Sequence, residues 1–224
     1  MTARLEIAPR PPFRLDLTTW ALRRRPHNAI DRWDASTYRR VVTIDGATVA
    51  LSVSQNGPAN VPRLSVRLTG RSIRRSDELG ARSTLDRLLG LSVDLSPFAT
   101  KAATDPLLAA LAGRMRGIRP PRFASVFEAL VNGVACQQLS VALGIHLLNR
   151  LAADYGRPVS DDRAGPHAFP TPRRSRRSSR TSLRGLVSAR ASRARSSRSH
   201  VRTSPAASTW RAWRGLTMPA SAST

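Results

Sequence analysis

Five consecutive residues, Cys136-Gln137-Gln138-Leu139-Ser140, break an otherwise apolar helical pattern with two amides, a thiol and a hydroxyl. Side-chain amides both donate and accept hydrogen bonds, so a short loop of them suits contact with a polar partner. This loop is the expected point of contact. Cys136 could act as a nucleophile only with a base beside it. No triad-like partner lies near it, and small buried cysteines are common in helix packing. Packing is therefore the preferred reading. His146 falls mid-helix between apolar neighbours and reads as a packed or boundary histidine rather than a ligand. No Cys/His cluster has zinc-ligand spacing, so neither a metal nor another cofactor is expected.

Two helices must position that loop, and both are legible between Phe123 and Gly156. Ser125 followed by Glu128 is the reciprocal S-x-x-E box that satisfies orphan amides at a helix start. Phe127, Leu130, Val131 and Val134 then recur at helical spacing and predict one apolar face. Beyond the break, Val141, Leu143, Leu147, Leu148, Leu151 and Tyr155 predict a second helix, with Gly156 as its C′ stop.

Upstream, residues 1–12 end in Pro9-Arg10-Pro11-Pro12 and are expected to be a loose lead-in. Alternation of Phe13, Leu15 and Leu17 suggests a short strand, and Trp20 to Arg25 a short helix stopped by Pro26. Tyr38 to Ile44 is a strand, and Asp45-Gly46 is a tight-hairpin dipeptide because both positions need positive φ. Thr48 to Val53 returns, Asn56-Gly57-Pro58 turns, and Leu64, Val66 and Leu68 alternate as a further strand. Leu79, Leu85, Leu88 and Leu89 line a helix ending at Gly90. Asp105-Pro106 is a cap-plus-N1 pair opening another helix, and Gly117 to Arg122 is a rigid basic linker. These elements give an α+β chain: a lead-in over 1–12, a sheet domain over 13–92 and a helical segment over 93–172.

The net charge of +23 is unevenly spread: residues 1–172 carry +10, while 173–224 carry +13 with 13 Arg and no acid. Arg, Ser and Ala make up 34 of those last 52 residues, too few apolar groups to offset chain entropy, so disorder is expected there. A basic surface on the folded part suits phosphate. With 36 Arg to one Lys, much of the excess also fits a GC-rich coding sequence. A single cysteine excludes an internal disulfide framework, and no run approaches bilayer length, so a soluble cytoplasmic monomer is expected.

The run Phe127 to Ser140 (FEALVNGVACQQLS) resembles the 3-methyladenine DNA glycosylase II family of the helix-hairpin-helix glycosylase superfamily. Supporting pieces follow in order: PPFRLDL near the start, Tyr38-Arg39-Arg40-Val41-Val42, Asp105-Pro106, Arg119-Pro120-Pro121-Arg122, and His167-Ala168-Phe169-Pro170-Thr171-Pro172. The resemblance covers about residues 11–172. It implies a TATA-binding-protein-like antiparallel sheet with helices, then the start of an all-helical glycosylase domain. It implies double-stranded DNA carrying alkylated bases as partner, and metal-free hydrolysis of the N-glycosidic bond in base-excision repair. In the family, the loop between the two helices enters the minor groove and fills the gap left by the flipped nucleotide. Here Gln137, Gln138, Leu139 and Ser140 form that loop, with Gln138 at the wedge position. A side chain in the vacated space offsets part of the unstacking cost, and a Gln can hydrogen-bond the base left behind. Trp20 is a candidate base-pocket aromatic, with ordinary core packing as the rival reading.

The family's catalytic parts lie beyond the Phe-Pro-Thr-Pro element: a Gly-x-Gly hairpin, an aspartate that stabilises the oxocarbenium-like sugar, and aromatics for cationic bases. No acid follows Asp162, so no residue of this chain is assigned the aspartate's role. The change at Pro172-Arg173 has two readings. One is a reading-frame change in GC-rich DNA, which the other frames of the gene would reveal by restoring helix-hairpin-helix text. The other is a genuine Arg/Ser-rich tail that binds nucleic acid by counterion release. Little or no glycosylase activity is expected of this chain, and a non-catalytic DNA-binding module is the alternative function. The apolar helix faces left without family partners imply exposed hydrophobic surface.

Overall fold

Strand β3 (Thr37–Ile44) and strand β4 (Ala47–Asn56) form the longest hairpin of the molecule, paired from Thr37↔Ser54 to Ile44↔Ala47. Asp45 and Gly46 turn it with φ of 47° and 83°, the doubly positive conformation the dipeptide predicts. The computed structural model describes residues 1–120, 122–137, 139–160 and 165–172. Gln138 and the Arg/Ser-rich segment 173–224, expected to be disordered, lie outside the described residues. Around the hairpin, β1 (Thr2–Ile7), β5 (Arg63–Thr69) and β2 (Arg32–Asp34) complete a five-stranded antiparallel sheet in the order β1-β5-β4-β3-β2. Alternation sends Val49, Leu51 and Val53 of β4 and Leu64, Val66 and Leu68 of β5 to one fully buried face.

Two helices cover that face. Helix α1 (Leu15–Arg23) turns Leu15 and Leu22 onto the sheet, and α2 (Arg75–Leu89) adds Ala81, Leu85, Leu88 and Leu89. Gly90 ends α2 in the left-handed conformation, as expected. Leu79 departs from expectation, being 63% exposed on the outer flank of α2.

Two expectations for the N-terminal stretch are overturned. Residues 1–12 include a true strand, because β5 needs a neighbour and Leu5 and Ile7 pair opposite Val66 and Leu64. Phe13 to Leu17 is not a strand. Leu15, Thr18, Thr19 and Leu22 are buried at helical spacing, and Gln55 caps the entry by accepting from Leu15 N (2.7 Å) and donating to Phe13 O (3.1 Å).

The helical half starts with α3 (Ser96–Ala102), which the sequence reading did not assign, and α4 (Pro106–Arg114). Asp105 caps α4 by accepting from Leu107 N and Leu108 N, as its type and place predict. The linker Gly117 to Arg122 is less of a basic surface than its composition suggests. Arg119 is completely buried, 5.9 Å from the centre of the Phe13 ring, and it donates to Arg10 O.

Helices α5 (Val126–Gln137) and α6 (Val141–Tyr155) then form a hairpin over a second core of Ile30, Ile145, Leu148, Ala152 and Phe169. Phe127 meets Phe169 at 6.4 Å between ring centres. A small ladder, β6 (Arg157–Pro158) with β7 (His167–Ala168), ties the end of α6 to the Phe-Pro-Thr-Pro segment. Gly156 stops α6 in extended rather than left-handed backbone (φ −73°). Close approach demands glycine there, since a Cβ would lie 2.1 Å from Ala168 O.

Candidate nucleic-acid interface

Helix α5 carries three adjacent stripes, and their burial inverts the expected pattern. Phe127, Val131 and Ala135 pack on the second core. Val126, Leu130 and Val134 are 64–76% exposed, so the single apolar face predicted from Phe127, Leu130, Val131 and Val134 is split. The third stripe is polar, with Glu128, Asn132 and Cys136 at successive i, i+4 positions: Glu128 meets the sheet, while Asn132 and Cys136 meet Arg24 at the end of α1.

That polar stripe exists because β3 presents a charge to the core. Arg40 alternates with Tyr38, Val42 and Ile44 on the inward face, opposite Leu51, and is 1% exposed. Its Nη1 donates to Asp31 Oδ1 (2.6 Å), and its Nη2 donates to both oxygens of Glu128 (2.6 Å each). Tyr38 also donates to Asp31 Oδ1, at 2.7 Å. Burial acts most strongly on Arg40 and opposes its charge, yet Asp31 and Glu128 hold its pKa well above the ordinary arginine value. The Ser125–Glu128 box is therefore only half made. Ser125 Oγ accepts from Glu128 N (3.1 Å), but the Glu128 carboxylate is committed to Arg40.

Burial, and then the charge of Asp31, push the Tyr38 phenol well above its ordinary value. A raised folded-state pKa gives stability that is full below about pH 10, the unfolded tyrosine value, and is lost as pH rises through the folded value. An alkaline absorbance titration is expected to show one phenol that ionises only as the protein unfolds, and Tyr38→Phe to abolish that late component. Ionisation of both tyrosines without a late component would contradict the buried network.

The tip of the hairpin is where the expected contact residues sit. Gln137 ends α5 with its side chain exposed, Leu139 is 40% exposed, and Ser140 is the exposed N-cap of α6, accepting from Leu143 N at 3.3 Å. Gln138, the residue placed at the wedge position, lies outside the described residues. Val141 and Ala142, also exposed, bring the first backbone amides of α6 to the same tip, a positive helix end suited to an anion. Trp20 is not at the tip. It lies on α1, 62% exposed, which removes the core-packing reading. One turn later, Arg24 donates from Nη2 to Asn132 Oδ1 (2.6 Å) and from Nη1 to Cys136 Sγ (3.5 Å). Cys136 thus meets a guanidinium and the second core, as a packing cysteine would. His146 is exposed on α6, so of its two readings the packed one falls and the boundary one stands.

Sequence reasoning missed Asp31, Arg24 and Asn132, and it gave Arg40 and Glu128 no joint role. One signal was present: period-2 alternation puts Arg40 on the core side of its strand, where an arginine requires buried acids. Among the described residues no three His, Cys, Asp or Glu side chains could hold a metal ion, and no helix is long and apolar enough to cross a membrane.

Residues 4–125 match the family described as the AlkA N-terminal domain. The chain belongs to that family. Two curated relatives, from two strains of Mycobacterium tuberculosis and described as probable bifunctional transcriptional activator/DNA repair enzyme AlkA, are each 35% identical over 96 residues. That stretch is 42% of this chain and 19% of the relative, so the chain spans about a fifth of their length. The fold is similar to that of 3-methyladenine DNA-glycosylase from Archaeoglobus fulgidus, with TM-score 0.68 and 20% identity over 82% of this chain and 61% of that one. It is also similar to an 8-oxoguanine glycosylase/lyase from Clostridium acetobutylicum, solved with double-stranded DNA containing cytosine opposite 8-oxoG. There the TM-score is 0.56 and the identity 16%, over 83% of this chain and 59% of that one. These likenesses establish the fold: an AlkA-type antiparallel sheet with helices, followed by helices of the DNA glycosylase architecture.

Proposed function

We propose that this chain is an alkylation-repair protein that binds duplex DNA and opens it at a damaged base through the α5–α6 turn. The observation that carries this is the tip itself: Gln137, Leu139 and Ser140 stand exposed together between two helices anchored on the second core. The exposed start of α6 supplies amides for a flanking phosphate. Membership of the AlkA N-terminal domain family and the glycosylase-type fold support DNA as the partner. Gln138 as the wedge, and Trp20 as an aromatic near the extruded base, rest on the family resemblance.

Filling the gap offsets part of an unstacking cost of a few kcal/mol, so losing one filling side chain should cost about tenfold in affinity, or 1.4 kcal/mol. Leu139→Ala and Gln138→Ala are expected to weaken binding to duplex containing an abasic or alkylated site by about that factor. Binding to undamaged duplex should change little. Equal loss on both DNAs would sink the opening role. For the chemistry, no acid follows Asp162 to stabilise an oxocarbenium-like sugar. A base-release assay on alkylated DNA with the 224-residue polypeptide itself is therefore expected to show little or no turnover, and robust release would overturn this part of the proposal.

A second reading, a non-catalytic DNA-binding module held mainly by charge, is favoured by the +13 carried on residues 173–224.

A further inference from the structure

We propose that Arg24 is a positioning residue for the α5–α6 turn, clamping the last turn of α5 so that Gln137, the residue leading into the turn, is held in one place. As the positioner of a duplex-opening element it rests on the function proposed above; as a clamp on α5 it does not.

The geometry argues for the clamp in three ways. Arg24 closes α1 with φ 58° and ψ −37°, a positive-φ conformation outside the left-handed helical region and unusual for a residue with a side chain. Such strain persists only where the surroundings over-determine it. Its guanidinium is then forked over two residues of α5, Asn132 Oδ1 at 2.6 Å and Cys136 Sγ at 3.5 Å. Finally, α5 has no basic residue in its own last turn, so Arg24 brings from another helix the positive charge that its C-terminal carbonyls favour.

Arg24 is also the outer end of a continuous polar line. Arg40 on the sheet holds Glu128, Asn132 Nδ2 donates to Glu128 O (3.0 Å), and the opposite end of that amide receives Arg24. The far side of Cys136 is closed by α6. A Cβ on Gly144 would come 2.7 Å from Cys136 Sγ and 2.9 Å from Ala135 O. The residue immediately before Gln137 is thus gripped between a guanidinium and a helix backbone. Without the guanidinium, the turn stays tethered to α6 but loses its tie to α1 and the sheet.

Hydrogen exchange on the full chain tests the clamp without DNA. In Arg24→Met, the amides of Ala135 to Gln137 are expected to exchange about tenfold faster or more, with those of β4 unchanged. Arg25→Met, which removes an exposed neighbouring charge, should change neither. Arg24→Lys keeps the charge but cannot fork over both acceptors, and should fall between. Unchanged exchange at 135–137, or equal acceleration throughout the fold, overturns the clamp.

Duplex carrying 2-aminopurine beside an abasic site gives the second arm. Where the native chain raises its fluorescence by unstacking, Arg24→Met should lose most of that rise while the salt dependence of binding keeps its slope. A slope smaller by about one would make Arg24 a direct phosphate contact instead and overturn the positioning role. No rise with the native chain strikes the duplex-opening function, and hydrogen exchange alone then decides the clamp.

Discussion

Glu128→Ala is expected to cost about 3–5 kcal/mol of folding stability, because it leaves a buried guanidinium with half its compensation removed. Arg40 is 1% exposed, and among the described residues its Nε has no hydrogen-bond partner, so losing the two bonds from Nη2 leaves the guanidinium held through Nη1 alone. Asp31 would remain, but it also serves Tyr38 and holds Arg40 only through Nη1. Urea denaturation of the native and variant chains reads the difference directly. The triple variant Asp31→Asn, Arg40→Met and Glu128→Leu, which strands no buried charge, should recover most of the loss, since neutral groups of similar volume often replace buried ion pairs at little net cost. The pair is thus required once either member is present, without being a large net source of stability. A loss under about 1 kcal/mol for Glu128→Ala would show that water reaches Arg40, as at a surface pair.

That network also marks the boundary of what the sequence could disclose. The hairpin, the three apolar strand faces, the cap at Asp105, the stop at Gly90 and the α5–α6 pair follow from local rules, because each depends on residues within a few positions. The edge strand β1 does not, since Thr2 to Ile7 becomes a strand only when β5, about sixty residues later, offers an open edge. Leu15 likewise joins a helix because Gln55 holds its amide, a contact that alternation cannot reveal. The three stripes of α5 show the same limit. Periodicity locates a helix face but cannot say which of two apolar stripes is covered. The answer came from Arg40, which draws Glu128 inward and so turns Val126, Leu130 and Val134 outward. At the tip, the amide-rich break was legible as the turn between two helices, and Arg24, 112 residues from Cys136 in the chain, was not legible as its neighbour.

Ending the chain after Pro172 is expected to weaken DNA binding more than any single substitution, through charge alone. The truncated chain keeps +10 and discards +13 carried without a single acid. Each phosphate neutralised contributes about 0.9 to the slope of log affinity against log salt. A segment of 13 arginines engaging six to ten phosphates would account for about 10³–10⁵ in affinity between 50 and 200 mM salt. Titrations of both chains over that range give the number of contacts as the difference in slope, and equal slopes would show that residues 173–224 do not meet DNA. The same pair of chains separates the two functional readings. Counterion release is indifferent to whether the duplex is damaged, whereas a turn that fills a vacated base position is not. If the α5–α6 turn opens DNA, the truncated chain at saturating concentration and low salt should still prefer damaged over intact duplex by the factor that Leu139→Ala removes. If charge is the whole of the interaction, truncation leaves weak binding with no preference, and the exposed tip of the hairpin has another use.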